Sequence, residues 1–252
     1  WNHIEGDRLQ LGLRTNEQFS EDVELGGYAA YGIRDQRWKG GANAQLTFER
    51  NGSKKMVVGA RYRNDLFQQG RSEYVIPLSH ILTSFTQLSG SQKRTLIESY
   101  EGYLERQWFT GFSSRVGVFR NTIESLSLPF NRTEGVDTSQ FSSFVNSGIK
   151  FNLRFAWGET DLPATFGAME NRLFFARYPA ISLEVATGIK GLWSNQLDWQ
   201  HYRLKVEYQL RANKWGYLNI LAEGGIIEGN VPFPMLHTPN GNPLLFNDDH
   251  SF

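Results

Sequence analysis

Hydrophobic and polar positions alternate with period two over long stretches of the chain. From Val23 the odd positions read Val23, Leu25, Gly27, Ala29, Tyr31 and Ile33, set against Glu24, Gly26, Tyr28, Ala30 and Gly32. From Trp38 the even positions read Trp38, Gly40, Ala42, Ala44, Leu46 and Phe48, set against Lys39, Gly41, Asn43, Gln45 and Thr47. Val145, Ser147, Ile149, Phe151, Leu153, Phe155 and Trp157 oppose Asn146, Gly148, Lys150, Asn152, Arg154 and Ala156. Ile181, Leu183, Val185, Thr187 and Ile189 oppose Ser182, Glu184, Ala186 and Gly188; Tyr202, Leu204, Val206, Tyr208 and Leu210 oppose Arg203, Lys205, Glu207 and Gln209. Alternation of this kind specifies strands with one apolar and one polar face. The apolar rows carry no charge over 29 positions and the polar rows carry eight over 24. With 21% of residues charged, chance would put about six on the apolar rows.

Weaker alternation predicts further strands around Leu9–Leu13, Val58–Tyr62, Tyr100–Trp108, Phe112–Arg120, Arg172–Arg177 and Leu218–Ile226. The total is about eleven, most near ten residues long. Globular strands average ~5–6 residues, whereas strands that cross a membrane need ~9–11. Arg34-Asp35-Gln36, Asn51-Gly52-Ser53 and Ala212-Asn213-Lys214 read as short hairpin turns. Leu66 to Arg94, Asn121 to Gln140 and Thr160 to Asn171 read as long connections. In the first, Ile76, Leu78, Ile81, Leu82 and Phe85 suit a short amphipathic helix. Short turns at one end and long loops at the other is the asymmetry of an outer-membrane barrel.

Composition bears on the medium. No stretch reaches the ~18 apolar residues of a membrane helix, and mean hydropathy is −0.44. A membrane barrel escapes that test, because alternation hides its hydrophobicity. The alternative is a soluble β-rich module whose apolar rows form an interior. Strand length favours the barrel. So do Tyr31, Trp38, Trp157, Tyr202 and Trp215 near the ends of apolar rows, where headgroups favour such rings. The chain has no cysteine, which excludes a disulfide scaffold, a thiolate metal site and a cysteine nucleophile. Its 26 basic and 26 acidic residues give no electrostatic footprint for nucleic acid, which is not expected as a partner.

Several short motifs resemble a known family. Trp1-Asn2, Glu5-Gly6 and Leu11-Gly12-Leu13-Arg14-Thr15-Asn16 come first, followed by Leu25-Gly26-Gly27-Tyr28-Ala29-Ala30-Tyr31-Gly32, Asp35 and Trp38. Tyr100-Glu101, Arg106-Gln107-Trp108, Gly111-Phe112-Ser113, Val231-Pro232-Phe233-Pro234-Met235-Leu236-His237 and Gly241-Asn242 complete the set. Together they resemble a Bacteroidota family of outer-membrane proteins, with an N-terminal carboxypeptidase-regulatory-like domain and a C-terminal barrel similar to the surface-antigen, BamA-like superfamily. The resemblance covers the barrel part and implies a location in the bacterial outer membrane. The Arg-Gly-Phe/Tyr lumen-loop motif of that superfamily is not found. On this resemblance residues 1–252 are a single barrel domain, with further strands expected beyond Phe252.

Candidate chemistry is sparse. His3, His80, His201, His237 and His250 lack metal-ligand spacing, and Asp248-Asp249-His250 reads as a solvated loop. No G-x-S-x-G or phosphate loop occurs. Neither a cofactor nor a metal nor a catalytic group is expected. The polar rows nominate Arg61, Arg63, Lys150, Arg154, Glu184, Arg203, Lys205 and Glu207 as lumen-facing, with Glu24, Glu49, Glu101, Glu105 and Glu223 beside them. Their balanced signs favour internal ion-pair ladders over a selectivity wall for an anionic solute. Leu25, Ile149, Phe151, Leu183, Leu204 and Val206 are the lipid-facing candidates. The expectation is an antiparallel transmembrane β-barrel, all-β, incomplete in this chain. It is non-enzymatic and acts in transport, assembly or envelope biogenesis, with outer-membrane lipid and other envelope proteins as partners. The alternatives are a barrel-based lipase, which needs a serine beside a histidine such as His201, and a soluble β-rich binding module.

Overall fold

The computed structural model describes residues 4–16, 18–48, 55–68, 94–126, 130–131, 140–158, 178–211, 217–229, 231–232 and 235. Its strands are β1 (Arg8–Arg14), β2 (Val23–Gly32), β3 (Trp38–Phe48), β4 (Met56–Gln68), β5 (Arg94–Phe109) and β6 (Phe112–Ser125). They continue with β7 (Phe130–Asn131), β8 (Gln140–Phe141), β9 (Ser143–Ala156), β10 (Ala180–Gly188), β11 (Trp199–Arg211) and β12 (Tyr217–Gly229). The short β7 and β8 pair only with each other. The rest form one ten-stranded antiparallel sheet in the order β1-β2-β3-β4-β5-β6-β9-β10-β11-β12. The fold is all-β and the sheet is open: β1 and β12 do not pair with each other among the described residues. No α-helix occurs there, and the one helical element is a 3-10 turn, Leu192–Ser194.

Ten of the eleven strands expected from alternation are present, and the eleventh, around 172–177, lies outside the described residues. So does the helix placed between Leu66 and Arg94. Six strands run further than their alternation indicated. β4 continues through Leu66 to Gln68, so those residues are strand rather than the start of a long connection, and β12 continues to Gly229. β5 begins at Arg94, β6 continues to Ser125, β9 begins at Ser143 and β11 begins at Trp199. For these last four the reason is local. Here the inward positions Ile97, Phe119, Ile123, Phe144 and Trp199 are apolar, so the contrast between rows is lost. Asn121–Ser125 is therefore strand rather than the start of a long connection.

The expected split into a short-turn end and a long-loop end holds only in part. In a meander successive connections alternate between the two ends. β4 and β5, and β6 and β9, are joined at the end that carries the turn after Gly32, whereas β9 and β10 are joined at the opposite end, with the two-residue turn Thr110-Gly111. The widest sequence separations between paired strands therefore fall at both ends.

Burial is inverted relative to a water-soluble sheet. Glu24, Lys39, Glu105 and Glu184 are buried, whereas Leu204 is 49% exposed and Trp38 71%. The polar side is concave. One cavity is lined by Arg61 of β4, Ile97 of β5, Phe119 of β6, Lys150 of β9, Glu184 of β10 and His201 of β11. Strands lie ~4.8 Å apart, so six flat neighbours would span roughly 24 Å. A single cavity of about 290 Å³ reaches all six only if the sheet curls around it.

Glycines on the inner face make room for large rings. Gly188 lies under the Trp199 indole, and a Cβ there would fall inside the ring. The space lets Trp199 Nε1 donate to Asn146 Oδ1 at 2.9 Å. Gly59 lies under the Tyr103 ring in the same way. Tyr103 then donates to Gln45 Oε1 at 3.1 Å, across β4. Gly188→Val should push the indole off Asn146 and cost about 1–3 kcal/mol by overpacking. Chemical denaturation in detergent, followed by Trp fluorescence, reads this; an unchanged midpoint would show that the ring can move aside freely.

Candidate functional site

Alternation carries the site. Odd residues of β4, β5 and β6 and even residues of β9 point to the concave side, so charges from distant parts of the chain converge. The cavity is lined by Arg61, Arg63, Asp65, Glu101, Lys150, Glu184 and His201, with Ser99, Asn121 and Asn146 between them. Phe119 is among its lining residues. Glu101 stands opposite Phe119 in the β5–β6 ladder, and Lys150 Nζ lies 5.9 Å from the ring centroid. Among the described residues neither Glu101 nor Lys150 forms an ion pair. Both signs of charge therefore face a small polar space, a composition suited to polar or zwitterionic solutes.

Several other inward charges are neutralised in place. Arg203 reaches Glu184 at 3.1 Å and Glu223 at 3.6 Å, and Lys205 pairs with Glu207. Arg115 donates from Nε and Nη2 to Glu105 Oε2 at 2.9 and 2.7 Å, and its guanidinium lies 4.7 Å from the Tyr103 ring centroid. Arg14 pairs with Glu24 at 2.5 Å. Near the β2–β3 turn a larger network forms. Arg8 donates from both terminal nitrogens to Asp65 at 2.7 and 2.9 Å, and Tyr28 donates to Asp65 Oδ2 at 2.6 Å. Lys39, 1% exposed, sits between Glu5 at 2.8 Å and Asp35 at 2.5 Å.

Of the nominated inward residues, Arg61, Arg63, Lys150 and Glu184 meet at the cavity. Arg203, Lys205 and Glu207 form the adjacent ladder. Arg154 lies on the same face, between Ser113 and Ser182, away from the cavity. Leu25, Ile149, Phe151, Leu183 and Leu204 are exposed on the opposite face, and Val206 lies in their row opposite Ile181. Asp65, Tyr28 and Lys39 were not among the nominated residues, although parity places each of them on a polar row. Glu5 and Asp35 lie outside strands, where no periodic signal exists.

The β2–β3 end of the concave side is partly filled by apolar groups. Val231 and Met235, which follow β12, pack with Leu197 against Phe119, Trp199, Ile123 and Phe144. His201 lines the cavity, and Ser99, which also lines it, donates to Asn121 Oδ1 at 2.7 Å. No cluster of three metal-ligating side chains occurs among the described residues. His3, His80, His237 and the Asp248-Asp249-His250 group lie outside them. No family model matches the chain, and comparison with curated proteins and with solved structures gave no match.

Proposed function

We propose that the chain is the wall of an outer-membrane β-barrel with no catalytic role, acting in transport, assembly or envelope biogenesis. The observation that carries this reading is the inverted burial: carboxylates and a lysine inside, leucines, isoleucines and tryptophans outside. Such a face is costly in water and favourable against acyl chains. Dimensions agree. β3 has 11 residues, and at ~3.3 Å per residue with ~40° tilt it spans roughly 25 Å, the height of a barrel's apolar band. Rings mark both ends of that band. Tyr31 and Trp38 pack at 5.1 Å at one end. Phe109, Phe112, Phe155 and Trp157 form a chain of ring contacts at the other. The resemblance to the surface-antigen barrels points the same way, and the engaged Ser99 hydroxyl favours this reading over a lipase. The test is the medium. The chain should stay folded and monodisperse in detergent or lipid and aggregate in plain buffer; a monodisperse folded chain in buffer alone contradicts the proposal.

The cavity supports passage of small polar solutes as the barrel's task. Replacing one charge there alters the local potential by about 1 kcal/mol in water at 4 Å. Lys150→Glu changes the charge by two units, about 2 kcal/mol, and should move the anion-to-cation permeability ratio by at least ~30-fold toward cations. Glu101→Lys should move it the other way. Reversal potentials in planar bilayers under a salt gradient measure this. An unchanged ratio, or no conductance at all, would remove solute passage from the reading.

A further inference from the structure

The apolar outer face is not uniform. Two neighbouring rungs cross β2 to β6. One reads Leu25, Ala44, Ala60, Gly102, Val118; the other reads Gly27, Ala42, Tyr62, Tyr100, Arg120. The small residues of the first rung form the floor of a groove of about 930 Å³. The Tyr62 and Tyr100 rings, 4.9 Å apart, form its wall, and Trp193 overhangs one end. Trp193 comes from the connection between β10 and β11, which is fastened to β9 by the buried Asn195 through its bond to the Ser147 carbonyl at 2.8 Å.

A carboxylate and a guanidinium stand beside the tyrosine wall of the groove. The Glu98 carboxylate accepts from Tyr100 at 2.9 Å and from Tyr62 at 3.5 Å. Arg120 is held by a 3.5 Å contact from Nε to the Trp193 carbonyl. Arg120 stands opposite Tyr100, and Glu98 stands opposite Thr122. The two are thus diagonal neighbours, ~7–8 Å apart at the backbone on one face. They form no ion pair with each other among the described residues. A carboxylate and a guanidinium at that separation complement a headgroup that carries both an ammonium and a phosphate.

We propose that this groove binds one phosphatidylethanolamine-type lipid. An acyl chain lies over Ala44, Ala60 and Gly102, the phosphate meets Arg120, and the primary ammonium donates to Glu98. The inference deepens the membrane reading and rests on it. An anionic lipid satisfies only Arg120 and leaves Glu98 facing a like charge. A choline headgroup has no N–H to donate.

The test uses the full chain purified in detergent and exposed to equimolar phosphatidylethanolamine, phosphatidylcholine and phosphatidylglycerol. Retained lipid is counted by native mass spectrometry. Phosphatidylethanolamine should be retained preferentially. Arg120→Gln and Glu98→Gln should each reduce that retention roughly tenfold, the loss expected for one charge-assisted hydrogen bond. Gly102→Leu is a second, independent variant. A Cβ at Gly102 meets only Val118 Cγ2, at 3.8 Å, so the added side chain fills the groove without displacing the backbone. It should abolish retention with both charges intact. Leu204→Ala, on a remote part of the wall, should leave retention unchanged. Equal retention of the three lipids, or retention indifferent to Arg120, Glu98 and Gly102, overturns the inference while leaving a folded membrane barrel. A chain that is soluble without detergent and takes up no lipid overturns the membrane reading itself.

Discussion

Arginine at Phe151 should destabilise the folded chain in lipid by about 2–4 kcal/mol, the cost of a cation at the bilayer midplane. Phe151 lies on β9, 41% exposed on the outer face, between Val116 of β6 and Val185 of β10. Its cross-strand neighbours are apolar, so the guanidinium finds no partner and no water. Arginine at Asn152, one residue on, should cost far less. That side chain points to the concave side, where Glu184 stands directly opposite on β10. Urea titration of the two variants in short-chain phosphatidylcholine vesicles compares them. Similar costs at both sites would mean that the two faces meet the same medium.

The second large effect belongs to Lys39. Its ammonium is buried between Glu5, 2% exposed, and Asp35, 11% exposed. Lys39→Met keeps the chain volume and removes the charge, leaving two carboxylates in one enclosed space. Breaking a buried pair from one side typically costs about 3–5 kcal/mol, because the partner charge stays buried and uncompensated. Glu5→Gln combined with Asp35→Asn should recover part of that loss in the Lys39→Met background. A double-mutant cycle measures the recovery. Additivity would show that these charges are solvated independently rather than held as one network.

Most of the fold was legible because a sheet with one apolar and one polar face writes its orientation into every second residue. The segments from Val23, Trp38, Val145, Ile181 and Tyr202 all became strands facing as their alternation indicated. The rule failed where the inner face itself turns apolar. Ile123, Phe144 and Trp199 pack against Leu197 and Met235, and Ile97 packs against Ile123 and Phe144, so the first residues of β5, β9 and β11 carried no contrast. The expected split into a short-turn end and a long-loop end held only in part for a different reason. Loop length was read from the sequence, but the end on which a loop falls depends on the parity of strand order, which a missed or added strand reverses.

The candidate site was legible in its ingredients and not in its pairing. Parity placed Arg61, Arg63, Lys150 and Glu184 on one side. The curl that brings six strands around one cavity depends on packing across the interior, such as Trp199 seated on Gly188, and no local pattern encodes it. Asp65 shows the same limit. It continues the Arg61, Arg63 parity, yet its partners Arg8 and Tyr28 lie three and two strands away in the sheet. The groove on the outer face was not visible at all, because Ala44, Ala60 and Gly102 read as ordinary small members of apolar rows. Only the cross-strand register sets them side by side.

The most direct measurement is a spin-label scan along β9. The chain has no cysteine, so single cysteines at positions 149 to 154 can each carry a label in an otherwise unlabelled protein. In lipid vesicles, collision with oxygen, which partitions into acyl chains, is compared with collision with a water-soluble nickel chelate. The account predicts high oxygen and low nickel accessibility at 149, 151 and 153, with the ratio falling at 150, 152 and 154. A profile without period two, or one in which the odd positions meet the nickel chelate, would contradict the claim that the apolar rows face lipid.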